Sequence, residues 1–104
     1  MAMPKKRYLF FTKVARKDID DTVDWYETQQ LGLGIGFKDA VKATSHLIAS
    51  NPFIGAPRHK TVRRISVEKF PYAIYYRTFK TVNKISVIGI LHARRHPRVW
   101  RSRV

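Results

Sequence analysis

Between Phe70 and Pro97 the chain reads FPYAIYYRTFKTVNKISVIGILHARRHP, two runs of β-branched and aromatic residues that end in a cluster of arginine and histidine. Tyr72, Ile74 and Tyr76 alternate with Ala73 and Tyr75, and Ile85, Val87, Gly89 and Leu91 alternate with Ser86, Ile88 and Ile90. Apolar side chains therefore fall on both faces of each run, the pattern of strands covered on both sides. Such strands belong in the middle of a sheet, and whatever else the chain forms has to cover them.

The preceding residues supply that cover. RYLFFT, from Arg7 to Thr12, reads as a short strand with Thr12 placed as a helix N-cap. From Lys13 to about Gln30, Ala15, Ile19, Val23 and Tyr26 recur at helical spacing, with Trp25 beside the stripe. A second helix is expected from about Phe37 to Ser50, with Phe37, Val41, Thr44 and Ile48 on one stripe and Asn51 and Pro52 as its stop. LGLGIG, Leu31 to Gly36, lacks the spacing of a dinucleotide loop and reads as the turn between the helices. NPFIGAPRHK, Asn51 to Lys60, reads as a turn-rich connection, and Thr61 to Val67, Ala73 to Phe79 and Lys84 to Leu91 as strands of an antiparallel meander. The expected fold is α+β, in the order strand, helix, helix, strand, strand, strand, with a helical hairpin packed on a mainly antiparallel sheet.

At 104 residues, 44% of them hydrophobic, the chain has material for one core, so residues 1–104 are expected as a single domain with about 98–104 as a flexible basic tail. No apolar run approaches the roughly 18 residues that span a bilayer. Without cysteine there is no disulfide or thiolate metal site, and His46, His59, His92 and His96 lack the spacing of a zinc motif, so neither cofactor nor metal is expected. A cytoplasmic location with no membrane contact is the default for such a chain.

The net charge of +14 is concentrated in one half. Residues 1–57 hold eight basic and six acidic groups, whereas residues 58–104 hold thirteen basic groups against Glu68 alone. An anionic partner is implied, and RNA, DNA, an acidic protein segment and a membrane surface all satisfy the charge. Five of the seven acids lie between Asp18 and Glu27 and read as a solvated helix face.

Taken in order, FT-K-ARKDID, DWY, QQLGLG-GF, SNP-IG-PR, VRRISVEKFPYAIYY and ILHARRHP resemble the ParE-like toxins of the RelE/ParE superfamily, of the plasmid stabilisation type, from Leu9 to Trp100. The resemblance implies the toxin of a type II toxin–antitoxin module that causes growth arrest. Its cognate ParD-like antitoxin would form a hetero-oligomer with it, laying an apolar and acidic C-terminal segment over the hairpin and sheet. Trp25, Tyr26, Arg64 and Arg77 are the residues assigned to antitoxin contact.

Two branches of the superfamily imply different chemistry. RelE-like toxins cleave messenger RNA on the ribosome, which needs a base for the 2′-hydroxyl, cations for the phosphorane and a proton donor for the leaving oxygen. By motif, the paired strand lysines of that branch fall at Arg64 and Ser66, its strand arginine at Ala73, its terminal arginine at Arg94, and its downstream tyrosine at Trp100, whose indole cannot act as a general acid. ParE toxins poison DNA gyrase, and FPYxIYY with a terminal HxRR places the chain in that branch, although arginine is common where Ala73 stands. The expectation is a binding protein rather than an enzyme, with Arg94, Arg95, His96, Arg98 and Trp100 contacting the target. The alternative is a ribosome-dependent endonuclease using Arg64, Arg77, His92 and Arg94. A blander reading is a nucleic-acid-binding module whose basic half holds phosphates directly.

Overall fold

The computed structural model describes residues 8–79, 83–95 and 97–104. Strand β1, Tyr8–Phe11, leads into helix α1, Lys13–Gln29, and helix α2, Leu33–Ser50. Strands β2, Ala56–His59, β3, Val62–Ser66, β4, Tyr72–Thr78, and β5, Lys84–His92, follow, and a single helical turn, α3, Arg98–Arg101, closes the chain. The sheet order is β1-β5-β4-β3-β2, with β1 parallel to β5 and the other pairs antiparallel. The fold is α+β, with the expected doubly apolar strands β4 and β5 lying inside the sheet.

The helical hairpin covers one face of this sheet. Ala15, Tyr26, Phe37, Val41 and Ile48 from the helices pack against Ile74, Tyr76, Ile85, Val87 and Ile90. Tyr26 and Phe37 meet Phe70 and Tyr72 in a cluster of rings with centroids 5.2–6.0 Å apart. Such offset and edge-to-face contacts add to area burial in fixing how the hairpin sits. Burial raises the Tyr26 phenol above its ordinary pKa, with the neighbouring Tyr72 adding to the effect.

Three expectations are corrected. Helix α2 starts at Leu33, not Phe37, so most of LGLGIG is helix and only residues 30–32 turn, with Gly32 at φ 89°. The reason is tertiary: the Glu27 carboxylate accepts the Gly32 and Gly34 N–H groups at 3.1 and 2.7 Å, satisfying donors that open a helix. Residues 51–60 contain a strand, β2, paired to β3 at the sheet's far edge. Pro57 concealed it, and a proline is tolerated there because an edge strand has one side without a ladder. Finally, the tail docks: Trp100 is 4% exposed, and Arg103 pairs with Asp18.

The expected N-cap holds, with the Thr12 hydroxyl accepting the Ala15 N–H at 3.2 Å. A buried hydroxyl ties down the loop before β2. Tyr76 donates to the Pro52 carbonyl and accepts the Gly55 N–H, both at 2.9 Å, and burial raises its pKa above the ordinary phenol value.

Candidate functional site

The sheet face opposite the hairpin carries its own small apolar cluster of Val62, Ala73, Tyr75, Ile88, Leu91 and Trp100. Trp100 reaches it because α3 folds back after Pro97, and its indole stacks on Tyr75 with centroids 5.5 Å apart and planes 18° apart. Ala73 is fully buried in the same cluster.

Cations ring this aromatic pair. Arg64, on β3 opposite Tyr75, donates Nε–H to the Tyr75 hydroxyl at 3.2 Å. Arg58, Arg64, Arg95, Tyr75, Ala93, Pro97 and Trp100 line one cavity of about 300 Å³. Three guanidiniums around an aromatic floor have a chemistry suited to an anionic group, since a guanidinium is a fixed cation with several donors. For the same reason none of them can take a proton from a 2′-hydroxyl.

The expected site residues are only partly brought together. Arg64, Arg95 and Trp100 share the cavity. Arg77 lies on the same face, two residues along β4 from Tyr75, with its guanidinium 5.3 Å from the Phe79 ring and Nε 3.4 Å from the Thr61 hydroxyl. Arg94 is exposed in the turn after β5, and Arg98 is exposed at the start of α3. His96 lies outside the described residues.

His92 faces the other way. It pairs with Tyr72, a residue of the hairpin-side core, and its ring stands 5.3 Å from the Tyr72 ring. Its Nδ1 accepts the Arg94 N–H at 3.1 Å, which leaves Nε2 to carry the proton of the neutral ring. Asp18, Asp21, Thr22 and Arg95 share that small polar cleft with it. The endonuclease set of Arg64, Arg77, His92 and Arg94 is thus divided between the two sides of the sheet.

The residues expected to contact an antitoxin also divide. Trp25 is 53% exposed on α1, whereas the Tyr26 ring is buried in the aromatic cluster and unavailable to a partner. Arg64 and Arg77 lie on the opposite face of the molecule from both. A separate apolar groove of about 470 Å³ runs between β1 and α2 over Tyr8, Leu9, Phe11, Ile19 and Val41. Lys38, Lys42 and His46 rim it at successive four-residue steps along α2. Arg58 and Tyr75 in the cavity, and this groove, are sites that the sequence pattern did not single out. Among the described residues no group of three His, Asp or Glu side chains is placed to hold a metal ion. No described helix is long and apolar enough to cross a membrane.

Comparison with known proteins supplies the family. A model described as the ParE toxin of the type II toxin–antitoxin system parDE matches residues 9–97. The chain belongs to the ParE toxin family. Among solved structures, a chromosomal ParDE toxin–antitoxin system from P. aeruginosa superposes with a TM-score of 0.72 at 19% identity, covering 84% of this chain and 96% of that one. The isolated E. coli RelE toxin superposes with a TM-score of 0.62 at 17% identity, covering 92% of this chain and 94% of that one. At these identities the two likenesses describe the fold. No curated protein matches the chain in sequence. In this ParE-family toxin, then, the shared scaffold presents a cationic aromatic face on one side and an apolar groove on the other.

Proposed function

We propose that this ParE-family toxin arrests growth by binding DNA gyrase through its open cationic face, and that a ParD-like antitoxin silences it by direct contact. The observation that carries the reading is the cavity of Arg58, Arg64 and Arg95 around stacked Tyr75 and Trp100. Its charged groups are permanent cations, suited to holding an anionic surface on protein or DNA and unsuited to general-base chemistry. His92, the imidazole of the alternative endonuclease set, is on the other side of the sheet.

The groove between β1 and α2 supports the antitoxin half. Its floor is apolar and its rim carries Lys38, Lys42 and His46, matching a segment that is both apolar and acidic. Lys38→Glu combined with Lys42→Glu weakens antitoxin binding in a titration and leaves growth arrest by the free toxin intact. Unchanged affinity removes the groove from the interface.

A plasmid supercoiling assay with purified gyrase tests the target. Inhibition with accumulation of cleaved DNA is expected, and no effect at a several-fold molar excess over gyrase rejects the assignment. Primer extension on translated messages in arrested cells reads the alternative, since cuts at the ribosomal A site mark an endonuclease. Rescue of arrest by co-expressing the gene immediately upstream identifies the antitoxin whatever the target.

A further inference from the structure

Arg103 donates from Nη1 to Asp18 Oδ2 at 2.6 Å and to the Ile88 carbonyl at 3.0 Å, and from Nη2 to Asp18 Oδ1 at 3.3 Å. Asp18 Oδ2 also accepts the Ile90 N–H at 3.1 Å. The pair therefore joins two residues 85 positions apart and takes up two backbone groups of β5 beyond the point where β1 stops pairing, at Val87. Gly89 lies between those two groups, and a Cβ there would stand 2.7 Å from Arg103 Nη1. β5 is irregular at the same place, since Tyr75 pairs with Gly89 and Tyr76 with Val87, leaving Ile88 without an opposite residue. Both side chains are largely covered, at 19% and 16% exposure, whereas the Lys17–Asp21 pair one turn away is open at 74% and 63%.

This contact governs something on the open face. Arg103 follows Trp100 by three residues, and its N–H bonds the Trp100 carbonyl at 3.1 Å. A single helical turn such as α3 does not persist by itself, because nucleation costs more than one turn returns. It is held by the burial of Trp100 and by the Arg103 fork. From the ion pair at the sheet edge a continuous line of contacts runs through Trp100, stacked on Tyr75, to Arg64, whose Nε bonds the Tyr75 hydroxyl.

We infer that Asp18 and Arg103 are positioning residues for the open face: the ion pair clamps the C-terminal turn so that Trp100 and Pro97 complete the wall of the arginine cavity. The role of that cavity in growth arrest rests on the proposed function; the clamp does not. A bidentate pair with this little solvent access loses far more than an exposed one when either partner is removed, because the survivor is left charged and uncompensated. The pair also reads backbone polarity, with the cation on a carbonyl and the carboxylate on an N–H. A reversed pair sets each charge against the wrong backbone group, so a charge swap does not restore the clamp.

The test uses full-length protein carrying Trp25→Phe, which leaves Trp100 as the sole indole of the two in the chain. Acrylamide quenching of Trp100 is expected to rise several-fold in Arg103→Ala and in Asp18→Asn, to stay at the parent value in Lys17→Ala, and to stay high in Asp18→Arg combined with Arg103→Asp. Far-UV circular dichroism checks that each variant is folded. Should Asp18→Asn fail to fold, Arg103→Lys, which keeps a cation and loses the fork, is expected to give intermediate quenching. Low quenching in folded Arg103→Ala overturns the clamp, and recovery in the swapped pair overturns its dependence on backbone polarity. In cells, Arg103→Ala is expected to relieve growth arrest as far as Trp100→Ala does while still binding antitoxin. High quenching with undiminished arrest keeps the clamp and overturns the cavity's part in toxicity.

Discussion

Glu27 and Gly34 act together at the turn of the hairpin. The Glu27 carboxylate accepts N–H groups at the start of α2, and these hydrogen bonds, that from Gly32 foremost, hold its pKa below the ordinary glutamate value of 4.5. A carboxylate with a lowered folded-state pKa stabilises the fold above its unfolded value and loses that contribution as pH falls through the folded one. Glu27→Gln is therefore expected to melt lower than the parent at neutral pH, with the gap closing as the pH is taken well below 4.5. Gly34 is fixed by contact, since a Cβ would lie 2.6 Å from the Val23 carbonyl oxygen. Helix propensity favours Gly34→Ala by about 1 kcal/mol, but overpacking costs about 1–3 kcal/mol, so urea denaturation is expected to show net destabilisation. Neither role was legible in the sequence. Helical phase places Glu27 and Asp18 off the apolar stripe with the other acids, and it carries no information about what meets them from elsewhere. Gly89 did hold a signal, because a glycine inside a β-branched strand marks close approach of another group, here the Arg103 guanidinium.

At the scale of elements, β4, β5 and the hydrophobic stripes of α1 and α2 were readable because their burial is periodic and local. β2 and α3 were not: Pro57 disguised β2 as part of a turn although it pairs with the adjacent β3, and α3 is a single turn held by partners distant in sequence. α3 depends on Trp100, which stacks on Tyr75 in the open-face cluster. Trp100→Ala is expected to cost about 3 kcal/mol or more, the scale for removing a large buried aromatic, read as a fall in denaturation midpoint. Ala73→Arg is expected to destabilise as well, because its Cβ is buried in that same cluster and a guanidinium there would displace Trp100 or remain unpaired. An Ala73→Arg protein as stable as the parent and equally protected at Trp100 contradicts this packing.

On the scale of the whole molecule, the family was legible because its motifs recur in order along most of the chain, and the family match over residues 9–97 covers the same stretch. The division of labour between faces was not, since Arg64 and His92 fall on opposite sides only once the sheet is placed, while Arg95 lines both the open-face cavity and the His92 cleft. Arg58, Arg64 and Arg95, from the cation-rich residues 58–104, line one cavity, so association with an anionic target is expected to slow as ionic strength rises. The most direct measurement of whether this face is the working surface is growth after induction of the wild type and of a variant carrying Arg58→Ala, Arg64→Ala and Arg95→Ala. The wild type is predicted to arrest growth, and the variant, still folded and still bound by the antitoxin, to permit it. A folded variant that arrests growth as strongly as the wild type contradicts the account.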